Sequence, residues 1–433
     1  MLAMASSSVI HFLLLLICLF SVFCLSASQA TNTKQQSFIL PIKKDPATNL
    51  FYSSVGIGTP RHNFDLTIDL AGENVWYECD SKYNSSTYRP IPCGSKECPE
   101  VGCVGCNRAF KPGCTNNTCP ATTINPSANS IFGSGLGEDI IFLSQHQLSG
   151  FLSSCIETDA FTSTTEDDSP LNGLPKNTKG IIGLSRSNLA FPTQLALLNN
   201  LSPKFSLCLP SSNKQGFTNL LVGPKDQHSQ HVSQFLQTTP LIVNPVSTGA
   251  ISVQGVPSKE YFIDVKSVKI DGHVVNLKPS LLAIDNKGNG GTKISTMAPF
   301  TELQRSVYKT FIRDFLKKAS DRRLKKVASV PPFEACFDSS SVTRLGFPTV
   351  DLVLPEGVQW RFHGANSIIM PKKNVACLAF VDGGTEPKMS FVKASIVIGG
   401  HQLEDNLLEF DLTSSKLRFS SSLLLHNTSC SHS

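Results

Sequence analysis

No charged residue precedes Lys34 in this 433-residue chain, and no long apolar run follows Leu25. The second absence predicts no membrane-spanning helix in the body of the protein. The first leaves Ile10 to Leu25 as an isolated apolar stretch, followed by the small residues Ser26, Ala27, Ser28 and Ala30. That run is short for a bilayer, and its flanks read as an export signal spanning residues 1–30, removed from a soluble, unanchored chain. A strong charge of either sign is also missing. Thirty-eight basic against 33 acidic residues leave a formal +5, and with aromatics dispersed this gives no nucleic-acid-binding face. Histidine is missing near Cys103-Val-Gly-Cys106, the one spacing that resembles half a zinc site. No metal and no cofactor is therefore expected.

What is present fits the exported reading. Of 14 cysteines, Cys18 and Cys24 leave with the signal, and twelve in an oxidising compartment predict six disulfides. Cys79, Cys93, Cys98, Cys103, Cys106, Cys114 and Cys119 crowd together, with Cys155, Cys208, Cys336, Cys377 and Cys430 beyond them. Asn84, Asn116, Asn200 and Asn427 begin glycosylation triplets; Pro203, after the third, is expected to weaken it. A mildly basic exported protein is drawn to acidic surfaces, such as a wall matrix or an acidic partner.

Strand patterns dominate. Phe51 to Ile57 alternates and breaks at Gly58-Thr-Pro60, and Phe64, Leu66 and Ile68 share one face. Short strands recur at Ile140–Leu143, Phe205–Cys208 and Asn219–Val222. Helical period is confined to a short stretch from Pro192 and to Leu303–Lys318, where Val307, Phe311 and Phe315 are four apart. A weak duplication organises the chain. Phe51-Tyr-Ser-Ser-Val and Tyr261-Phe-Ile-Asp-Val open its halves; Gly180-Ile-Ile-Gly-Leu and Ile396-Val-Ile-Gly-Gly close them. Prolines 240, 245 and 257 interrupt the pattern between, so an N-terminal lobe is expected over residues 31–240, a C-terminal lobe over 241–433, and a cleft between them.

Val55-Gly-Ile-Gly-Thr-Pro, then Asp69, Val75-Trp76 and Cys79, resembles the first active-site region of pepsin-like aspartic proteases. The two apolar-Gly segments resemble those beneath that family's site, over nearly the whole mature chain. The resemblance implies a mainly β, bilobal pepsin-like fold with a few short helices. Family chemistry needs one carboxylate per lobe, close enough to share a proton across an attacking water. Here the first Asp-Thr/Ser-Gly copy reads Asp69-Leu70-Ala71, and the second, after Gly290-Gly-Thr-Lys-Ile, reads Ser295-Thr296-Met297. Ser295 stands where the second aspartate belongs, and losing one acid/base role typically costs about 10²–10⁴ in rate. Asp285 precedes a turn and is a poor substitute. The Phe132-Gly-Ser-Gly-Leu-Gly stretch lacks the family's flap Tyr-Gly pair, and little length is left between Ala30 and Phe38 for an inhibitory prosegment. No protease activity is expected, and Asp69 reads as a relic.

Gly-Gly-Thr-Lys-Ile-Ser-Thr, the twelve cysteines and Gly-Gly-His-Gln-Leu-Glu-Asp-Asn-Leu resemble a narrower plant group of extracellular dermal glycoproteins, xylanase and xyloglucanase inhibitors, and basic 7S globulins. Of these, the xyloglucan-specific endoglucanase inhibitors are the nearest in pattern. The resemblance implies a secreted, apoplastic, monomeric defence protein. Its expected partner is a secreted microbial glycoside hydrolase of family 12 or family 11. It also implies the pairings Cys336–Cys377 and Cys208–Cys430, leaving the N-terminal cluster's connectivity open. Such inhibitors push loop arginines between the two carboxylates of the target. Aligned on Val327–Phe333, the first falls on Arg322, with Arg323 beside it; the second falls on Lys393, which keeps the charge but loses the planar fork. All of these are expected on exposed loop tips. A storage or receptor-type wall protein and a residual aspartic protease are the alternative readings.

Overall fold

Alternation sets the strands, and pairing fixes their register. The computed structural model describes residues 37–430 apart from 80–82, 99–101, 107–108, 145, 157–168, 213–218, 224–231, 249–254 and 386–392. The expected signal segment lies outside these residues, as does part of the expected inter-lobe boundary. Among the described residues no helix is long and apolar enough to cross a membrane.

Phe51–Ile57 pairs antiparallel with His62–Asp69 through the turn at Gly58. This buries Phe64, Leu66 and Ile68 as the alternation requires. Both strands belong to a nine-stranded sheet; among the described residues an eleven-stranded sheet and two four-stranded sheets complete the fold. Within the larger sheet Phe38–Pro41, Asn219–Val222 and Lys204–Cys208 lie side by side with Leu407–Asp411, Lys416–Phe419 and Gln237–Ile242. Chain from early and late in the sequence is thereby joined in one sheet. The rings of Phe205, Tyr261 and Phe410 pack across this join, Phe205 stacked on Phe410 at 4.7 Å. A fully buried aromatic of this kind stabilises by about 1.5–3 kcal/mol.

The duplication is visible in the pairings. His62–Asp69 runs parallel to Gly180–Gly183, which pairs antiparallel with Val75–Glu78, itself parallel to His146–Ile156. The same sequence of pairings recurs in Thr292–Ile294, Ile396–Ile398, Thr301–Leu303 and Phe380–Asp382. Gly183 lies opposite Asp69 in the first set, and Ile398 opposite Ile294 in the second.

The long helix spans Arg305–Asp321 rather than Leu303–Lys318. Thr301–Leu303 is drawn into the sheet, so the helix starts after Gln304, whose side chain caps the Ser306 amide at 2.8 Å. At the far end Arg323 takes a left-handed conformation (φ 62°), and the Leu324 amide bonds back to the Ala319 carbonyl at 3.0 Å. Val307, Phe311 and Phe315 face the core. The stretch from Pro192 forms the short helix Phe191–Leu198.

All twelve cysteines of the described chain are paired. Cys79–Cys155, Cys93–Cys103, Cys98–Cys119 and Cys106–Cys114 lie in the first half. Cys208–Cys430 ties the C-terminal segment to the Lys204–Cys208 strand, and Cys336–Cys377 bridges two neighbouring strands. Cys103 and Cys106 therefore belong to different disulfides. Asn84, Asn116, Asn200 and Asn427 are all exposed.

Candidate functional site

Two loops related by the internal repeat meet between the sheets. The first leaves the His62–Asp69 strand at Asp69, which is 3% exposed. Its Oδ1 accepts the Ala71 amide at 2.8 Å. The second leaves Thr292–Ile294 at Ser295, whose Oγ accepts the Met297 amide at 3.2 Å. Each side chain thus closes the same two-residue turn in its own loop, and Ser295 occupies the place that corresponds to Asp69. The sheet beneath is tight. A Cβ on Gly183 would lie 2.4 Å from the Gly72 and Asn74 carbonyl oxygens, and one on Gly399 would lie 2.2 Å from the Phe300 carbonyl carbon. The glycine that follows Asp69 is Gly72, one place later than the family pattern, and its own Cβ would meet the Gly183 Cα at 2.7 Å.

One hydroxyl stitches the loops together. Thr296 Oγ1 donates to the Ile68 carbonyl at 2.7 Å and accepts the Leu70 amide at 3.1 Å. Leu70, its counterpart in the first loop, has no hydroxyl to return this pair and is buried in the apolar core. The bridge is half of a two-fold-symmetric arrangement.

The charges around Asp69 come from residues that no sequence pattern marked. Lys293 pairs with Glu260, Nζ to Oε1 2.8 Å. Burial pushes the Asp69 carboxyl up to about 6, against the Ala71 amide, with Glu260 repelling and Lys293 attracting its charge. Burial alone would lower the Lys293 ammonium; the charge and hydrogen bond of Glu260, with Asp69 and Glu302 near, hold it above its ordinary value. Strand alternation from Ser295 puts Lys293 on the same face two residues earlier, the one local clue to its place. Asp285 sits exposed in its turn, accepting the Lys287 and Asn289 amides at 2.8 Å.

A cleft of about 440 Å³ reaches the second loop at Met297, with neither Asp69 nor Ser295 in its lining. Pro126, Ser127 and Asn129 line one wall, from the tip of the hairpin formed by Pro120–Asn125 and Ser130–Leu143. Met297, Pro299 and Glu302 line the other. Met297 also packs on the cluster of Trp76, Ile156, Leu174 and Ile181. A flexible apolar side chain from the second loop thus rests against the first half of the molecule, where the protease pattern has a glycine.

The basic rim requires a correction. Arg322 is not at an exposed tip: its side chain is 19% exposed and caps the long helix. Nε and Nη2 form a fork on Asp271 at 2.9 and 2.6 Å. Nη1 donates to the Leu345, Gly346 (3.1 Å) and Phe347 (2.7 Å) carbonyls. Every arm of the guanidinium is spent inside the protein, because Asp271 and the 345–347 loop fold onto the helix end. Lys393 is also not a free tip. It is half-buried, its ammonium donates to the Gly383 carbonyl, and its backbone bonds to Asn289 and Gly290. Arg323, Lys325 and Lys326 are the exposed cations of this segment; Lys325 Nζ lies 4.0 Å from Asp338. They lead into Val327–Phe333, whose Phe333 packs edge-on against Phe300 at 4.9 Å, beside the second loop.

Comparison with known proteins agrees with this geometry. Residues 51–223 match the family model described as xylanase inhibitor N-terminal, and residues 260–421 match xylanase inhibitor C-terminal. "Probable aspartic proteinase GIP2" of Nicotiana benthamiana is 40% identical, covering 99% of this chain and 98% of that protein. Among solved structures, one titled "Crystal structure of edgp" superposes with a TM-score of 0.82 at 38% identity, over 91% of this chain and 97% of that one. Soybean basic 7S globulin gives 0.75 at 31% identity, over 91% and 98%. An aspartic proteinase from Irpex lacteus shares the fold at 14% identity and a TM-score of 0.58, over 89% and 98%.

Proposed function

The chain belongs to the xylanase-inhibitor and basic 7S globulin family of pepsin-fold proteins, and on that premise we propose that it is an exported, non-proteolytic inhibitor of microbial cell-wall glycoside hydrolases. The observation that carries the non-proteolytic half is Ser295 in the place corresponding to Asp69. A serine hydroxyl cannot share a proton with Asp69 or supply the second acid/base function. Met297, in the second loop, packs onto Trp76, Ile156, Leu174 and Ile181 of the first half and adds bulk where the protease pattern has a glycine. Six disulfides in the described chain support the exported reading.

The inhibitory half rests on the family and on the basic rim. A glycoside hydrolase presents two carboxylates about 5–9.5 Å apart around the scissile bond. Arg323 and Lys326 are exposed on the segment leading into Val327–Phe333, and their exposure supports them as the cations that meet these carboxylates. Arg322 is withdrawn from that role, and Lys393 serves as support for the neighbouring loop. The protein is taken to act as a monomer in the apoplast.

The test is reducing-sugar release by a panel of family 11 and family 12 enzymes, with and without the purified protein. Stoichiometric inhibition of at least one enzyme is expected. Inhibition of none would leave a storage or wall-protein role. Pepstatin-sensitive cleavage of unfolded haemoglobin between pH 3 and 5 would overturn the non-proteolytic reading.

A further inference from the structure

Large apolar side chains are exposed at scattered points on the surface, and among the described residues only twice are two of them consecutive. Leu197 and Leu198 are 68% and 41% exposed, and Leu424 and Leu425 are 43% and 53% exposed. Each pair lies on the last turn of a short helical segment, Phe191–Leu198 and Leu423–His426. Each segment is anchored from the other side, by Phe191 and Leu195 in one and Leu423 in the other, so the exposed pairs are not needed to hold it. Two adjacent exposed leucines make a small apolar patch, and apolar patches on an extracellular surface are places where a covering group gains contact.

A glycosylation triplet begins within two residues of each pair. Asn200-Leu201-Ser202 follows Leu198, and Asn427-Thr428-Ser429 follows Leu425. Both asparagines are exposed and left-handed, φ 52° and 53°. The chain folds back beneath each, through Leu201 N–H to the Ala196 carbonyl at 2.9 Å and Thr428 N–H to the Leu423 carbonyl at 3.3 Å. The asparagine is thereby held at the end of the same turn that presents the leucines. We infer that Asn200 and Asn427 carry N-linked glycans whose first sugars lie over the Leu197–Leu198 and Leu424–Leu425 pairs, so that the glycans serve as the missing cover of two apolar patches.

The chemistry is ordinary secretory transfer from a polyprenyl-pyrophosphate-linked oligosaccharide. The carboxamide Nδ2 bonds to C1 of the reducing-end N-acetylglucosamine and loses a proton; the C1–O bond breaks and the lipid pyrophosphate leaves with the electron pair. The apolar face of the pyranose ring is the part that suits a leucine surface. Pro203 makes the Asn200 site the poorer acceptor, so higher occupancy is expected at Asn427.

This inference rests on the exported reading, and the experiment separates the two. The full chain is expressed in a plant host, recovered from the extracellular fluid, and mapped by glycopeptide mass spectrometry. Anilinonaphthalene sulfonate fluorescence and light-scattering mass are then compared for the parent and for Asn200→Gly plus Asn427→Gly, a change that tolerates the left-handed backbone. Occupied sites are expected in the parent. In the double variant, dye fluorescence should roughly double as the patches meet water, and added Leu197→Ser, Leu198→Ser, Leu424→Ser and Leu425→Ser should return it to the parent level. Failure to reach the extracellular fluid refutes export. Exported protein with both sites empty refutes the inference. So does unchanged dye binding in a folded double variant, or a parent dimer that the serine changes dissolve, which would make the leucines a subunit interface.

Discussion

Replacing Arg322 by alanine should cost stability and leave target binding intact. The guanidinium forms a two-bond fork on Asp271 and reaches three consecutive carbonyls. Its loss strands the Asp271 carboxylate with the Thr349 amide as the partner of Oδ1, and it frees the 345–347 loop from the helix end. Removing one member of a fully buried ion pair costs about 3–5 kcal/mol. Arg322 and Asp271 remain 19% and 17% exposed, and water screening reduces the figure to about 2–3 kcal/mol. At roughly 2 °C per kcal/mol for a large chain, Tm should fall by about 5 °C. Inhibition constants measured well below that Tm should match the parent's. Arg323→Ala and Lys326→Ala should do the reverse, with Tm nearly unchanged and binding weakened by about 2 kcal/mol or more for whichever cation enters the target's carboxylate pair. Differential scanning calorimetry and inhibition titrations on the three variants decide it. If Arg322→Ala melts with the parent yet fails to inhibit, the guanidinium leaves its cradle to bind, and the assignment of a structural role is wrong.

Two other changes probe the paired loops. Thr296→Val removes the hydroxyl joining Ile68 and Leu70 and leaves two buried backbone groups without it; a loss of about 2–3 kcal/mol is expected in urea unfolding. Thr296→Ser should recover most of it, and equal destabilisation by both would point to packing rather than the hydroxyl. Asp69→Asn tests the buried carboxyl. With its folded pKa raised to about 6 from 3.8, the native state holds this proton more tightly than the unfolded chain. Asp69 thus lowers stability as pH rises from about 4 through about 6, by up to about 3 kcal/mol. The asparagine variant should melt above the parent at pH 7.5 and beside it at pH 4. A Tm difference independent of pH would mean that Asp69 does not titrate in this range.

Strands, turns and the repeat were readable from the sequence because their causes are local: the period-two faces of Phe64–Ile68, the turn at Gly58, and the apolar-Gly segments that only a tight sheet needs. The correspondence of Ser295 with Asp69 was equally plain, since Ser295 sits in a recognisable run. The rim was not. Whether a cation is free or committed depends on partners far along the chain, and Arg322 meets Asp271 51 residues earlier and Leu345 23 residues later. Lys317, Lys318, Arg322, Arg323, Lys325 and Lys326 fall within ten residues, and such a run cannot show which one the fold has already used. Lys293 beside Asp69 was hidden for the same reason, because more than two hundred residues separate the loops that bring them together.

The half-bridge at Thr296 shows which constraints outlast the chemistry. The protease pattern carries a hydroxyl residue after each aspartate, so that two loops related by the repeat would each offer one. Here one hydroxyl remains and the other position is Leu70, packed in the core. One such bond remains between the two loops, and apolar packing of Leu70 and Met297 supplies further contact around it. The same division runs through the site. Gly183 and Gly399, which the sheet cannot do without, are in place, and a Cβ at either would collide with backbone. Ser295 and Met297 stand where the protease pattern has an aspartate and a glycine. What the loops retain is what holds two lobes in fixed relation. That is the property a rigid binding surface needs, and on the proposed function the exposed Arg323 and Lys326 belong to that surface.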